Sequence, residues 1–234
     1  MNEDKISIIL PVLNEEQTIA SVLSNLQNAP QIEIIIVDGG SADHTIEIAQ
    51  TFGKNADVEL RIIETHRGRA HQMNIGAKSA TGEILLFLHA DTQLPLKFEK
   101  WVRQLLDEPK VVAGAFELKI TASVGGLRWV ERGVKWRSQF LQMPYGDQAI
   151  FLKASTFWDG GGFPQLPFME DFELVRRLRR RGKIALVPLA VTTSGRRWQK
   201  LGVLRTTLIN QIIIIAYLLG VSPTRLANWY RSKH

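Results

Sequence analysis

Ile34-Ile35-Ile36-Val37-Asp38-Gly39-Gly40-Ser41 begins as four β-branched residues and ends as a polar, glycine-rich turn. The apolar run is too short for a helix, and its β-branched side chains suit a buried strand. Three other stretches of the first half share this form: Ile6-Ser7-Ile8-Ile9-Leu10, Leu60-Arg61-Ile62-Ile63 and Ile84-Leu85-Leu86-Phe87-Leu88. Helix-length segments lie between them. Glu15 to Leu26 sets Ile19, Val22, Leu23 and Leu26 at helical spacing, Asp43 to Phe52 follows the Gly39-Gly40-Ser41 turn with Ser41 or Asp43 as its cap, and Arg69 to Ser79 is the third. This alternation predicts an α/β fold, a largely parallel sheet covered by helices, with ligands beyond the carboxyl ends of the strands.

The second half is less regular. Val111 to Ile120 reads as a strand, Leu127 to Arg137 as a helix, and Ala149 to Leu152 as a strand before the cluster Gly160-Gly161-Gly162. A helix from Glu170 to Arg181 and a strand from Ile184 to Val187 follow. No internal repeat, low-complexity tract or linker interrupts the chain, which favours one continuous domain.

Composition narrows the classes. With 234 residues, 45% of them hydrophobic and 22% charged, the chain has the balance of a globular protein rather than a disordered, collagen-like or multi-span one. The absence of cysteine removes disulfide scaffolds, zinc-thiolate sites, iron–sulfur clusters and thiol nucleophiles. The start of the chain lacks the basic residues and long apolar run of a secretory signal, so a cytoplasmic location is expected. Charge is uneven: residues 1–127 carry 11 Lys and Arg against 17 Asp and Glu, and residues 128–234 carry 18 against 6. A cationic second half points to an anionic partner such as a phosphorylated substrate or an acidic membrane surface.

From Thr206 to Thr224 there is no charged residue. Asn210 and Gln211 interrupt this stretch, Gly220 and Pro223 end it, and as a helix Leu208 to Leu219 would rise only about 18 Å against a hydrocarbon core of roughly 30 Å. A membrane span is therefore not expected. The segment reads either as a helix packed on the domain or at a homodimer contact, or as one lying in a membrane surface peripherally, where flanking Arg196, Arg197, Lys200, Arg205 and Arg225 would meet anionic headgroups.

Each predicted strand end carries polar residues. The first runs into Pro11-Val12-Leu13-Asn14-Glu15, the second into Asp38-Gly39-Gly40-Ser41, and the fourth into His89-Ala90-Asp91-Thr92. Singly these are ordinary turns or caps. Together they set Glu15, Asp38, His89 and Asp91 on one rim, where a carboxylate can bind a hard cation that offsets the charge of a polyphosphate ligand.

These residues resemble the family 2 glycosyltransferases, whose fold is the nucleotide-sugar-binding GT-A type. The likeness runs in order through Ile8 to Glu16, Ile36 to Thr45, Gly68-Arg69-Ala70 with Met73 to Gly76, Gly82 to Asp91, Gly161-Gly162-Phe163 and Met169-Glu170-Asp171, about three quarters of the chain. A small bacterial subgroup with Leu-His-Ala-Asp-Thr in place of Asp-x-Asp is the nearest pattern. The resemblance implies a GT-A domain over residues 1–198, with a nucleotide-binding half (1–92) and an acceptor and catalytic half (93–198), and a C-terminal helical appendage over 199–234. It implies transfer of a sugar, with inversion, from a nucleoside-diphosphate sugar, a UDP-sugar as first guess, to an acceptor hydroxyl. The apolar, basic C-terminus adds a lipid-like acceptor as a hypothesis.

By the same resemblance Pro11, Asn14 and Glu15 line the nucleoside pocket, Asp38 accepts a hydrogen bond from the base, and Arg69 lies near base or diphosphate. Asp91 would ligate Mn²⁺ or Mg²⁺, with His89 at the position where the family has its first Asp; an imidazole can ligate the metal or hydrogen-bond the ribose or phosphate, at the loss of one negative charge. Glu170-Asp171 matches the Glu-Asp pair whose Asp is the catalytic base. Asp147 and Gln148, with Gly161 and Gly162, would approach the donor sugar or acceptor. Ser194-Gly195-Arg196-Arg197-Trp198 is similar to the Gln-x-x-Arg-Trp motif of processive members, so that Arg197 would steady the departing diphosphate and Trp198 stack on a sugar. The missing Gln argues against a polymerising synthase.

Other classes fit less well. A nucleotidyltransferase would begin with a Gly-rich basic loop that Pro11 to Glu16 lacks, and a dehydrogenase would show Gly-x-Gly-x-x-Gly. No nucleic-acid reader motif occurs, so no nucleic-acid partner is expected. A catalytically degenerate nucleotide-sugar-binding or membrane-interaction module is the alternative that His89 leaves open. Arg176 to Arg181 reads as a solvated helix face whose cations suit the helix dipole.

Overall fold

The computed structural model describes residues 3–122 and 124–231. The chain runs through β1 (Ile6–Val12), α1 (Ile19–Leu26), β2 (Ile32–Asp38), α2 (Thr45–Asn55), β3 (Glu59–Glu64), α3 (Arg69–Ser79), β4 (Ile84–Phe87), β5 (Thr92–Gln93), α4 (Phe98–Leu106) and β6 (Val111–Thr121). It continues through α5 (Leu127–Phe140), a 3₁₀ turn (Gly146–Gln148), β7 (Phe151–Lys153), α6 (Ala154–Asp159), α7 (Glu170–Leu178), β8 (Lys183–Ser194), α8 (Arg196–Leu201), α9 (Val203–Leu218) and α10 (Pro223–Arg231).

One sheet of eight strands in the order β3-β2-β1-β4-β7-β6-β8-β5 forms the centre. Strands β1 to β4 pair in parallel, β7 runs antiparallel to β4 and β6, β8 is parallel to β6, and β5 is antiparallel to β8. The sheet is thus mostly parallel, as expected, with β7 and β5 reversed.

The inner strands are apolar on both faces, which is why their sequences read as unbroken runs. Ile8, Leu10, Ile34, Ile36 and Leu86 face one core layer, closed by α1 and α4; Ile9, Ile35, Val37, Leu85 and Phe87 face the other, closed by α3 and α7. Gly76 of α3 lets that helix sit close to the sheet, since a β-carbon there would lie 2.5 Å from Ile9 Cγ2.

Several boundaries differ from expectation for local reasons. α1 starts at Ile19 rather than Glu15 because Asn14 turns the chain at φ 56° and the Glu15 amide donates to Thr45 Oγ1 (2.8 Å) instead of opening a helix. α7 ends at Leu178, short of Arg181. Ala149, read as strand, is a left-handed corner at φ 50°. The largest difference is β8, expected only from Ile184 to Val187 and found to continue to Ser194. Pro188 ends the sequence signal, but the ladder steps from Phe116–Val187 to Glu117–Ala190, so Pro188 and Leu189 form a bulge where a missing N–H costs no pairing. The extension carries Thr193 and Ser194 to the ligand edge of the sheet.

No helix is long and apolar enough to cross a membrane among the described residues. α9 instead packs Ile209 and Ile213 into the same core layer as α3 and α7.

Candidate active site

The carboxyl ends of β1, β2 and β4 open onto one edge, and their loops are tied together. Ser41 Oγ accepts from the Asn14 amide (2.9 Å), and Asn14 Oδ1 accepts from the Ala42 amide (2.8 Å). Asp38, 4% exposed, accepts from the Gly40 and Ser41 amides and from Ser41 Oγ (2.6 Å). Its carboxylate therefore fixes the β2–α2 turn, a duty the sequence did not reveal. Pro11 stands beside Val37 in the ladder at the same edge. Gln72 stitches the two strand ends from below, donating to the carbonyls of Val12 (2.9 Å) and Val37 (2.8 Å).

Further along the edge lies a cavity of about 300 Å³. Arg69, His89, Asp91, Asp147 and Asp171 all line it, so three of the sequence-predicted carboxylates converge with His89, while Glu15, Asp38 and Glu170 are not on its wall. Asp171 sits in the first turn of α7, entered through Met169 at φ 68°. Its Oδ2 accepts from the Gly146 amide and its Oδ1 from the Phe172 amide, both at 2.8 Å. Burial would push its carboxyl up, but the Arg69 guanidinium, these two amides and His89 outweigh it and hold Asp171 below the usual carboxylate range. Arg69 in turn forms an ion pair with Glu170, which is 2% exposed. Glu170 thus anchors Arg69 against the carboxylate beside it.

His89 follows β4, and its Leu88 neighbour is held by a bond from the Leu88 amide to the Ile9 carbonyl (3.0 Å). Burial first, and the Arg69 cation second, push its imidazole down to about 4 against the pull of Asp91 and Asp171. At neutral pH it is an uncharged ring, free to ligate or hydrogen-bond. Asp91 lies in the turn closed by the Thr92 amide on the His89 carbonyl (3.1 Å), and its own carbonyl accepts from the Ser194 amide (3.2 Å) on β8. The β8 extension past the bulge therefore holds the acidic turn in place.

Glu15 is raised by burial and by Asp91, against a Thr18 hydroxyl and Arg196, whose Nη2 lies 3.7 Å from Glu15 Oε2. Asp147 is also raised, by burial before all else, with Arg137 opposing. Its Oδ1 is buried without a hydrogen-bond partner. An unsatisfied buried carboxylate oxygen on a cavity wall marks a place for a donor group of a ligand. Trp198 is 8% exposed and lines the same cavity, its indole N–H likewise without a partner. Arg197 lies in α8, but its side chain falls outside the described residues.

Two expectations need correction. Gln148, expected beside donor or acceptor, is fully buried: its Oε1 accepts from Arg137, Ser138 Oγ and the Tyr145 amide, and its Nε2 donates to the Phe116 carbonyl. It holds the Tyr145–Asp147 turn rather than touching the cavity. Gly161 and Gly162 are absent from the cavity wall as well; at φ 80° and 62° they make the turn after α6, with the Gly162 amide on the Phe157 carbonyl (3.0 Å).

Sequence reasoning missed the far wall. Tyr145 carries the Arg137 guanidinium 3.4 Å above its ring, and α9 contributes Thr207, Asn210, Gln211 and Ile214. In the sequence Asn210 and Gln211 read only as interruptions of an apolar run; two amides in the middle of an uncharged stretch are the available signal.

The residues fit a divalent cation only in company. Among the described residues no three His, Cys, Asp or Glu groups converge as a metal site. Asp91 offers one carboxylate and His89 one uncharged imidazole, so a cation there needs ligand oxygens, as a diphosphate supplies, to fill its shell.

Comparison with known proteins gives a consistent picture. The model of glycosyl transferase family 2 matches residues 7–162. A poly-beta-1,6-N-acetyl-D-glucosamine synthase of Staphylococcus epidermidis is 40% identical over 89 residues, 37% of this chain and 22% of that protein. A PGL/p-HBAD biosynthesis glycosyltransferase of Mycobacterium bovis is 41% identical over 91 residues, 38% of this chain and 36% of its own length. The matched stretch therefore spans well under half of these relatives. Among solved structures, a mannosyltransferase of Pyrobaculum calidifontis in complex with GDP-Man and Mn²⁺ superposes with a TM-score of 0.72 at 20% identity, over 97% of this chain and 69% of that one. TarS 1-349 of S. aureus in complex with UDP-GlcNAc gives 0.65 at 19% identity, over 82% and 59%. At such identities the superpositions bear on the fold, which is the GT-A type.

Proposed function

The chain belongs to glycosyl transferase family 2, and from that premise we propose that it moves a sugar, with inversion, from a nucleoside-diphosphate sugar to the hydroxyl of a lipid-like acceptor. The observation that carries this reading is the Asp171 carboxylate, held as the anion at the wall of a cavity that also presents His89 and Asp91. In inverting transfer the acceptor oxygen attacks the anomeric carbon from the face opposite the leaving diphosphate. Asp171 takes the hydroxyl proton as the new C–O bond forms, a step worth about 10²–10⁴-fold. The bond from the anomeric carbon to the diphosphate oxygen breaks, and its electron pair leaves with the nucleoside diphosphate.

The tied loops of Asn14, Glu15, Asp38 and Ser41, with Pro11, supply the nucleoside side of the site. Asp91 and His89 would hold Mn²⁺ or Mg²⁺ on the diphosphate, and the cation would supply countercharge to the leaving group. Arg69 adds a positive charge beside the reacting carboxylate. Asp147, Trp198 and the α9 amides, which line the same cavity, would meet the sugar or the acceptor.

The test is calorimetric titration with UDP, GDP, TDP and CDP, with and without Mn²⁺. One diphosphate should bind, more tightly with metal, and the metal increment should vanish in Asp91→Ala. Failure of every nucleotide to bind would remove the transferase reading.

A further inference from the structure

We propose that the groove between α5 and α9 binds the hydrocarbon tail of an amphiphilic acceptor and so delivers its hydroxyl to Asp171; this rests on the transferase reading above. α9 is largely apolar all round its circumference, with three distinct stripes. Thr206, Ile209 and Ile213 are buried in the protein. Val203, Thr207, Gln211, Ile214 and Leu218, spaced by three or four residues, line the groove along the length of the helix. Leu208, Ile212 and Ile215 face outward, from 43% exposed at Ile212 to 61% at Leu208, and Leu204, 87% exposed, stands at the rim of the groove.

A helix packed on a globular domain ordinarily turns charged residues to water. An outward stripe of leucines and isoleucines suits the acyl boundary of a bilayer instead. Across the groove, Trp129 and Trp136 of α5 are 74% and 57% exposed, in the manner of indoles at a membrane interface. Arg176 and Arg179 stand at the groove wall, and Arg132 lies over the Trp129 ring at 5.2 Å. Arg176 is paired with Glu173, and Arg132 and Arg179 put further positive charge at the groove, where it complements anionic headgroups.

The groove, of about 880 Å³, runs into the catalytic cavity, for Val130, Val134, Arg137, Tyr145, Thr207 and Ile214 line both. Thr207, Gln211 and Ile214, which line both, stand in the middle of α9, and the groove continues from them toward Val203 and Leu218 at the two ends of the helix, so a head group at the cavity leaves its tail along the apolar groove. Gly133 keeps the α5 wall low: a β-carbon there would meet nothing within 4 Å. A larger side chain at this position fills the groove from an exposed helix face without displacing a packed neighbour.

The probe is the fluorescent amphiphile 11-(dansylamino)undecanoate, titrated into the wild-type protein, Gly133→Leu and Gly133→Trp, with the nucleoside-diphosphate titration run on the same samples. We expect saturable binding to the wild type, weakened about tenfold in Gly133→Leu and further in Gly133→Trp as methylene contacts are lost, with nucleotide binding equal in all three. Equal probe binding in the three proteins, or none in a wild type that binds nucleotide, overturns the groove assignment and leaves the transferase reading standing. Probe binding without nucleotide binding overturns the transferase premise, and with it the delivery of a hydroxyl to Asp171.

Discussion

The Gly146 amide grips Asp171 Oδ2 at 2.8 Å, and a β-carbon on Gly146 would lie 3.0 Å from that oxygen and 3.0 Å from His89 Nε2. The two side chains thus meet over a residue with no side chain, and their mutual position depends on its remaining so. Gly146→Ala forces the carboxylate or the ring aside by a few tenths of an ångström. We expect kcat to fall by about 10–100-fold with nucleotide affinity preserved, as small misplacements of a reacting group do. Steady-state kinetics beside calorimetry checks this; unchanged kcat would show that Asp171 is not the group under constraint.

Asp171→Asn keeps the shape and removes the proton acceptor. Transfer should drop by about 10²–10⁴-fold while nucleoside-diphosphate binding stays within a few-fold. Product formation measured at saturating donor gives the answer, and full activity would place the base elsewhere.

Arg69→Gln removes the cation that holds Asp171 down. The Asp171 carboxyl then moves up, so the acidic limb of the kcat/KM profile shifts to higher pH. In the wild type that limb is expected below the ordinary carboxylate range, because Asp171 is held down, and His89, pushed down to about 4, should add no titration between pH 5 and 8. The same variant strands the buried Glu170 carboxylate, at a cost of roughly 1–3 kcal/mol in stability. A pH profile and a urea melt separate the two effects.

At the opposite end of the strands Glu33 is fully buried and accepts from Ser7 Oγ (2.6 Å) and Thr81, and pairs with Arg61. Burial opposes ionisation, but these partners pull its carboxyl down to about 2 from an ordinary 4.5. A folded value below the unfolded one means stability that is complete above the unfolded pKa and drains away as pH falls from about 4.5 to about 2. The span corresponds to about 3 kcal/mol. Glu33→Gln should therefore lower stability at pH 7 and flatten its acid dependence over that window, as read by denaturant unfolding at several pH values.

The sheet was legible wherever a strand is buried on both faces, because Ile34–Val37 and Ile84–Leu88 leave no other use for such residues. It was not legible past Pro188, where the fold tolerates a proline by spending two residues on a bulge. The site followed the same division. His89 and Asp91 could be found because polar groups just past the end of an apolar strand stand out, whereas Asp171 was found through the likeness of Glu170-Asp171 to the family's Glu-Asp pair. Arg137 and Tyr145 could not, since their meeting depends on how α5 and the 3₁₀ turn pack, and nothing in either stretch announces the other. Gln148 misled for the converse reason: it neighbours Asp147 in sequence while its amide points into the core.

The wall that α9 lends to the cavity bears on ancestry. The segment shared with the family model ends at residue 162, and the groove stripe of α9 lies between 203 and 218. On the proposed reading, changes there would alter the acceptor while the strand-end loops stay as they are. The family match over residues 7–162 thus takes in β1 to β7 and the strand-end loops, while β8, Asp171 and the α9 wall of the cavity all lie beyond it.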